Sequence, residues 1–442
     1  MAFLPSLEMT YQRVREADLV RRLGKVTHVV GLAAEVTGLI ASVGDVCEIR
    51  SGGQRVLAEV VGFRQDRLLV MPLGDVAGLR PGSAVLATGR PQTVDVGAAL
   101  LGRVVDGFGH PLDGLGPIAA TIPRRIHQPP PPALSRQRIA EPLATGIRAL
   151  DGLLPLGRGQ RVGIFAGSGV GKSVLLGMLA GHAEADVNVI ALIGERGREV
   201  REFIERDLGR DGLTRSVVVV ATSDEPALLR RQAAFVATAI AEFFRDAGRT
   251  VLLMMDSVTR FAMAQREIGL AVGEPPATRG YPPSVFAFLP RLLERAGATA
   301  HRGSITGLYT VLVEGDDLND PVADAVRATL DGHVVLSREL ASANHFPAID
   351  VLASVSRLSG ELSSEGQMRD AAAVRDCLAT YRSARDLVAI GAYVRGSDPR
   401  IDTALAALDG INGFLRQGRE ERSELGETRH RLAALMPAAG GR

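Results

Sequence analysis

The sequence predicts an α/β protein whose central, mainly parallel sheet is covered by helices and flanked by two smaller domains. Short β-rich runs separated by glycine turns fill the chain up to about residue 92, which is typical of a small barrel. Apolar strands then alternate with helical segments to about residue 355, and beyond residue 360 only helical periodicity remains. We therefore expect an N-terminal segment at 1–22, a β-barrel at 23–92, a central α/β domain at 93–360 and a C-terminal helical domain at 361–442.

The composition excludes several kinds of protein. The 442 residues carry 51 Lys plus Arg and 50 Asp plus Glu, so the net charge of +1 provides no basic surplus for nonspecific nucleic-acid binding. The two cysteines are too few for a disulfide framework, which indicates a reducing compartment. The first 25 residues lack a signal peptide, and no apolar run approaches the roughly 18 residues of a membrane span. We expect a cytoplasmic globular protein.

The N-terminal segment and the barrel each admit more than one role. Apolar residues in 1–22 fall near helical spacing, which predicts an amphipathic helix that either packs on its own domain or docks a partner. A barrel can stack single-stranded bases on aromatic side chains, but Phe63 is the only aromatic residue in the barrel range. A structural or oligomerising role therefore fits the barrel better. The runs that predict its strands are 25–30, 46–49, 55–62, 68–72 and 84–88.

The central domain follows a turn-rich connector and a stiff four-proline stretch at 129–132. Its apolar runs predict strands at 161–165, 187–193, 216–221, 251–255 and 305–313. Helical periodicity predicts the intervening helices at 172–183, 200–207 and 225–246. This alternation favours parallel strands with helices on the faces of the sheet.

A glycine-rich loop joins the first of these strands to a helix. Residues 161–173 read RVGIFAGSGVGKS, a Walker A loop with Ala166 in place of its usual first glycine. Glycines let successive backbone N–H groups surround phosphate oxygens, and the helix N-terminus adds partial positive charge. Lys172, one of only two lysines in the chain, should reach the β- and γ-phosphates of ATP, and Ser173 should ligate Mg²⁺. The predicted nucleotide contacts are Gly167, Ser168, Gly169, Val170, Gly171, Lys172, Ser173 and Val174.

Two carboxylates follow later strands. Asp256 ends the run 251–255 in the form of a Walker B strand, so we expect it to hold the Mg²⁺ shell. Glu195 follows the run 187–193 in the sequence GERGRE. Ligands bind outside the carboxyl ends of parallel strands, where a carboxylate can polarise the water that attacks the γ-phosphate. From position alone, a surface ion pair remains an equal alternative for Glu195.

In their order along residues 23–435, these motifs resemble the hexameric ATPase family of rotary ATP synthase catalytic subunits and type III secretion ATPases. The stretch 347–356, PAIDVLASVS, fits that family's signature. Within the family the chain is most similar to flagellar protein-export ATPases, on the segments 277–297, 314–333, 390–398 and 411–417. The resemblance implies a β-barrel, a RecA-like P-loop core and a helical C-terminal domain, assembled into a six-membered ring.

The resemblance also implies roles for individual residues. Glu195 matches the catalytic carboxylate, and Arg196 is its neighbour in the motif. Phe346 matches the aromatic residue that stacks on adenine, where Tyr is more frequent. Arg357 matches the arginine finger that reaches the γ-phosphate of the neighbouring subunit. ATP and Mg²⁺ are the implied substrate and cofactor.

The resemblance implies that the chain is the ATPase of the flagellar type III export apparatus and hydrolyses ATP at the interfaces between ring subunits. Hydrolysis would promote the engagement of substrates, the release of their chaperones and export. The implied partners are a homo-hexamer, a stator-like regulatory protein at the N-terminal segment, a central stalk protein, export gate membrane proteins, and export substrates with their chaperones, without nucleic acid. Localisation would be cytoplasmic, with peripheral association with the inner membrane through these partners.

Four alternatives stay open on the sequence. A virulence-type secretion ATPase and a rotary catalytic subunit share the motor and the motifs. An RNA translocase shares the RecA-like motor, but the single aromatic residue of the barrel and the absent basic surplus count against it. A noncatalytic scaffold would bind ATP without turnover.

Overall fold

The computed structural model describes residues 23–74, 77–299, 303–313, 315, 317 and 320–435. The helix predicted for 1–22 therefore lies outside the described residues. The chain folds into two compact units, one reaching to Gln92 with the addition of Ala271–Gly273, and the other comprising Thr93–Leu270 and Glu274–Arg442. Among the described helices, none combines the length and apolar character needed to cross a bilayer. The domain boundaries given above stay predictions.

The first unit contains a closed barrel of antiparallel strands, as the sequence predicts. Successive strand residues point to opposite faces, so alternate apolar side chains fill the interior. Val36, Ile49 and Val60 are at most 1% exposed. The strands are β1 (Leu23–Val30), β2 (Ala33–Thr37), β3 (Asp45–Ser51), β4 (Gln54–Arg64), β5 (Arg67–Pro72) and β6 (Ala84–Pro91). They follow the order β1-β2-β5-β4-β3-β6 around the barrel.

The β3–β4 hairpin shows how two glycines set a strand register. Ser51 pairs with Gln54 across a two-residue turn in which Gly52 and Gly53 have φ of 56° and 87°. Such turns match the twist of the strands and need residues that adopt positive φ. Strand β2 is absent from the predicted runs because its sequence, AAEVT, contains Ala and Glu, which are weak strand formers.

The second unit is built on a nine-stranded, mainly parallel sheet. The strands of the second unit are β7 (Thr93–Val96), β8 (Val104–Asp106), β9 (Ile122–Arg125), β10 (Pro142–Leu143), β11 (Leu156–Gly157), β12 (Arg161–Ala166), β13 (Val187–Ile193), β14 (Ser216–Ala221), β15 (Thr250–Asp256), β16 (Gly297–Ala298), β17 (Ser304–Leu312), β18 (Gly332–Leu336) and β19 (Val355–Ser356). The large sheet has the order β19-β18-β12-β17-β15-β13-β14-β8, with β16 paired to β17. Among the described strands only the β18–β19 and β16–β17 pairs are antiparallel, so the predicted mainly parallel sheet is confirmed.

Helices cover both faces of this sheet. They are α1 (Arg148–Leu153), α2 (Lys172–His182), α3 (Gly197–Glu202), α4 (Gly209–Thr214), α5 (Ala227–Asp246), α6 (Val258–Val272), α7 (Pro283–Leu293), α8 (Pro321–Thr329), α9 (Arg338–Ser342), α10 (Ser359–Leu362), α11 (Glu365–Ala389), α12 (Pro399–Leu415) and α13 (Leu425–Ala434). One core layer contains α5 to α8 and the other contains α1, α2 and residues of α11 to α13. The helix predicted at 200–207 is instead α3 followed by a π-helical segment, Phe203–Leu208.

The C-terminal helices attach to the sheet unit through a buried arginine. Arg148 is 2% exposed, and its Nε donates to the carbonyl of Phe414 at 2.7 Å. Its guanidinium also donates to the carbonyl of Arg416 and forms an ion pair with Glu421. These bonds hold the chain that follows α12 against the start of α1.

Candidate nucleotide site

The strand order brings the predicted motifs to one edge of the sheet. Strand β12, which leads into the glycine-rich loop, pairs with β17, and β17 pairs with β15, which ends at Asp256. Strand β13 lies beside β15, with Leu192 paired to Asp256, and Glu195 follows its end. All four strands are parallel, so these residues meet at the carboxyl edge, where ligands of such sheets bind.

The glycine-rich loop leaves backbone donors free. Gly169 and Gly171 have φ of 78° and 89°, and Gly171 is the N-cap of α2. No side chain of the described residues caps this helix, and its first backbone bond runs from the N–H of Leu175 to the carbonyl of Gly171. The N–H groups of residues 172–174 are consequently available to an anion, as the phosphate-loop prediction requires. Ser173 is exposed beside them.

Lys172 lies between the two predicted carboxylates. Its Nζ donates to Asp256 Oδ1 at 2.5 Å and stands 3.5 Å from Glu195 Oε1. Asp256 is 4% exposed. Glu195 Oε1 is buried and makes no hydrogen bond within the described chain. The structure thus brings Lys172 together with two residues that follow it in the sequence by 23 positions (Glu195) and 84 positions (Asp256).

The charges of this cluster shift the protonation of Lys172 and Glu195. Burial opposes the charge on Lys172, but the carboxylates of Asp256 and Glu195 outweigh it, so the pKa of Lys172 is raised. Burial, the charge of Asp256 and a hydrogen bond with Glu199 raise the pKa of Glu195 to about 7, although Lys172 opposes the shift. Glu195 therefore changes its protonation state near neutral pH, which suits a group that accepts a proton from water.

The sequence reasoning missed Thr310, which also contacts this cluster. The hydroxyl of Thr310, on β17, donates to Asp256 Oδ1 at 2.7 Å and is buried completely. Because β17 lies between β12 and β15, its carboxyl end lies beside the ends of the strands that carry both motifs. Threonine is common in strands because it is β-branched, so its presence in an apolar strand gives no signal for this contact.

Phe346 lies against the glycine-rich loop. A Cβ atom on Gly171 would stand 3.3 Å from Cε1 of its ring, so glycine allows the close approach. The ring is 41% exposed, which leaves room for a base to stack on it. The backbone carbonyl of Phe346 accepts from the N–H of Gln417 at 2.9 Å. Gln417 Nε2 in turn donates to the carbonyl of Gly146 at 2.7 Å, which ties this aromatic residue to the C-terminal region.

Two predicted residues are not brought into the cluster. Arg357 follows β19, and its N–H donates to the carbonyl of Asp331 just before β18 begins, at the amino edge of the sheet. It lies at the edge opposite the glycine-rich loop of its own chain and is exposed. Arg196 also points outward, with a side chain 80% exposed and paired with Glu199 at 3.2 Å.

The oxygen donors at this edge fit a magnesium ion. Mg²⁺ prefers hard oxygen ligands and is held by one or two protein groups together with substrate phosphates. Strands β12 and β15 flank β17; exposed Ser173 lies beyond the end of β12, and Asp256 is the last residue of β15. With the free N–H groups and Lys172, they form a site of the P-loop NTPase class on a RecA-like sheet.

Comparison with known proteins identifies the family. The nucleotide-binding domain of the ATP synthase alpha/beta family matches residues 146–356, and the beta-barrel domain of that family matches 26–89. The T3SS EscN ATPase C-terminal domain matches residues 363–434. The three matches follow one another along the chain in the order that the fold shows.

Full-length relatives agree with these matches. The flagellum-specific ATP synthase of Bacillus subtilis is 54% identical, with 97% of each chain covered. The type 3 secretion system ATPase of Xanthomonas euvesicatoria is 52% identical, covering 99% of this chain and 100% of the relative. The solved structure of the assembled ATPase EscN with its central stalk EscO, from enteropathogenic E. coli, is 45% identical, with a TM-score of 0.86 over 93% of this chain and 99% of that one. The chain belongs to the family of flagellum-specific ATP synthases and type 3 secretion system ATPases, and it is an ATP-hydrolysing enzyme.

Proposed function

We propose that this chain is the ATPase of a flagellar type III protein-export apparatus and works as a ring of six identical copies. Its similarity to a flagellum-specific ATP synthase over nearly the full chain supports the cellular role. The arrangement of Lys172 between Asp256 and Glu195 at the glycine-rich loop supports the chemistry more than any other observation. Hydrolysis would promote substrate engagement, chaperone release and export.

The residues of the loop bind and orient the triphosphate. The N–H groups of residues 172–174 donate to phosphate oxygens, and the ammonium of Lys172 adds a full positive charge. Ser173 and Asp256 would hold Mg²⁺, which when bound neutralises charge on the β- and γ-phosphates. Phe346 offers an exposed aromatic face for adenine, beside Gly171.

Glu195 is the proposed general base. Its Oε1 makes no hydrogen bond in the described chain and lies 3.5 Å from the ammonium of Lys172, so it keeps a lone pair that can accept a proton from the attacking water. Its raised pKa of about 7 places the active, charged form above neutral pH. Arg196, the neighbour of Glu195 in the motif, is proposed to act through Glu199, because its guanidinium pairs with Glu199 at 3.2 Å and Glu199 in turn hydrogen-bonds to Glu195.

Arg357 is proposed to act on the site of a neighbouring copy. It is exposed at the amino edge of the sheet, while the loop of its own chain is at the carboxyl edge. A guanidinium that reaches a γ-phosphate stabilises the charge that builds up during phosphoryl transfer. The assembled state of EscN, a relative at 45% identity, supports contacts between copies.

The partners extend this proposal. The complex of EscN with its central stalk EscO supports a stalk protein as a partner of this chain. A stator-like regulator at residues 1–22, export gate membrane proteins, and export substrates with their chaperones are the further partners that we propose. Association with the inner membrane would then be peripheral, through these partners.

Deletion of the gene, followed by motility and secreted-flagellin assays, tests the cellular role. We expect loss of both, restored by the wild-type gene and not by Glu195→Gln. Normal motility with loss of effector secretion would instead identify a virulence-type ATPase, a candidate favoured by the full-length match to the Xanthomonas relative. Slow growth caused by reduced ATP synthesis, with normal motility, would contradict both assignments.

A further inference from the structure

A cavity lies apart from the nucleotide site, and no residue of the glycine-rich loop is in its wall. Its volume is about 490 Å³, which is within the usual range for small-molecule sites. It lies between the segment from Ser337 to Leu352 and the helices α11 and α12. Phe346 is not part of its wall, whereas the preceding residue, His345, is.

The wall of this cavity is mainly apolar. Leu340 and Val351 come from the chain after β18, Leu378 comes from α11, and Leu415 ends α12. Side chains of this type bind the body of an apolar ligand by removing its surface from water. The cavity therefore fits a molecule with a hydrophobic part.

A buried histidine in the wall has an unused nitrogen. His345 is 4% exposed, and its Nε2 makes no hydrogen bond within the described residues. Burial and the positive charge of Arg416 lower the pKa of His345, so the imidazole is neutral at physiological pH. A buried polar atom without a partner is costly, and a ligand that bonds to it removes that cost.

The charges around the cavity leave one arginine without a carboxylate. Arg382 pairs with Asp350 at 3.0 Å, and Arg385 pairs with Glu339. Arg416, which also lines the cavity, has no carboxylate within ion-pair distance in the described part of the chain. The three arginines and two carboxylates of the wall thus give an excess of one positive charge, at Arg416.

We propose that this cavity binds a small amphipathic anion, a molecule with an apolar body and one carboxylate group. The apolar body occupies the space between the leucines, and the carboxylate accepts hydrogen bonds from the guanidinium of Arg416 and from the Nε2–H of His345, in the tautomer that carries its proton on that nitrogen. A ligand held there contacts the residue next to Phe346, so the site is placed to influence the segment that carries the aromatic ring.

The test uses the fluorescent anion anilinonaphthalene sulfonate, which combines an apolar body with one negative charge. The chain has no tryptophan, so intrinsic fluorescence does not obscure the probe. Titration of the full chain without nucleotide should show one saturable site. Octanoate should displace the probe, and octan-1-ol, of the same length but uncharged, should compete at least about tenfold more weakly, because a hydrogen bond to a charged group contributes that much.

Two variants locate the site. We expect Arg416→Gln and His345→Phe each to weaken probe binding by about tenfold. Arg395→Gln, at an exposed arginine outside the cavity, should bind as the wild type does. Circular dichroism shows whether each variant folds. Because Arg416 is exposed, Arg416→Gln decides whether the probe binds in this cavity if His345→Phe does not fold. Unchanged binding by folded Arg416→Gln or folded His345→Phe, absence of a saturable site, or equal competition by octan-1-ol would overturn the proposal.

Discussion

Arg357 and Lys172 lie at opposite edges of the same sheet. The N–H of Arg357 donates to the carbonyl of Asp331, before β18 begins, whereas Lys172 follows the end of β12, the parallel neighbour of β18. A strand of this length spans roughly 15 Å or more at about 3.3 Å per residue. Within one chain, therefore, the proposed arginine finger cannot contact the phosphate that the loop would hold. The separation is explained if the finger serves a neighbouring copy.

The pH dependence of ATP hydrolysis should report Glu195. Its pKa is raised to about 7 and its charged form is the base, so the rate should rise as pH increases through about 7. Glu199→Gln removes one of the groups that raise this pKa, so the acid limb should move to lower pH. The measurement is the kcat/KM of purified enzyme between pH 5 and 9, because this quantity reports the ionisation of the free enzyme. Glu195→Gln should bind ATP without turnover, and a wild-type profile that stays flat from pH 9 down to pH 5 would contradict this assignment.

Thr310 should position Asp256. Thr310→Val keeps the shape of the side chain and removes the hydroxyl that donates to Asp256 Oδ1, while Thr310→Ser keeps the donor. Loss of a bond to a metal-binding carboxylate typically weakens metal affinity by about 10- to 100-fold. We expect the Mg²⁺ concentration for half-maximal activity to rise by that factor in Thr310→Val and little in Thr310→Ser. Equal Mg²⁺ requirements in Thr310→Val and the wild type would show that the hydroxyl does not position Asp256.

Lys172→Arg should inactivate the enzyme although the charge is kept. The ammonium of Lys172 fits between Asp256 and Glu195, whereas a guanidinium is planar, larger and forked. We expect the kcat to fall to the level of Lys172→Ala. Arg is accepted at most basic positions of this chain, so Lys25→Arg is the matched control and should leave the rate unchanged. Full activity of Lys172→Arg would remove the geometric argument for lysine.

Arg148 should stabilise the attachment of the C-terminal helices. Arg148→Ala leaves buried carbonyls and Glu421 without their donor, so the free energy of unfolding should fall by about 3 kcal/mol. Arg400→Ala, which breaks an ion pair with Asp376 whose side chains are 70% and 64% exposed, should cost less than about 1 kcal/mol. Denaturant unfolding measures both. A similar loss in the two variants would argue against a special role for Arg148.

Much of the fold and of the candidate site follows from local sequence. The strands β13 and β14 have the bounds that their apolar runs predict, because central parallel strands are buried on both faces. Asp256 ends a strand, and Lys172 and Glu195 follow the ends of others, so the parallel sheet alone is enough to bring them to one edge.

The remaining features depend on tertiary contacts. The bond from Thr310 to Asp256 requires knowing that β17 lies between β12 and β15, an order that the sequence does not state. The outward direction of Arg196 depends on the start of α3, where Glu199 offers it an ion pair. The free nitrogen of His345 depends on three separate segments that enclose one cavity.

Mixing two inactive variants tests the central claim most directly, namely that each site combines Glu195 of one copy with Arg357 of another. Arg357→Ala should hydrolyse ATP slowly and Glu195→Gln should show no turnover, whereas Arg400→Ala should remain active. Rings assembled from equal amounts of the two inactive variants should regain about a quarter of the wild-type rate, because roughly one interface in four joins an intact Glu195 to an intact Arg357. A mixture no more active than its separate components, in rings shown to contain both variants, would contradict this account.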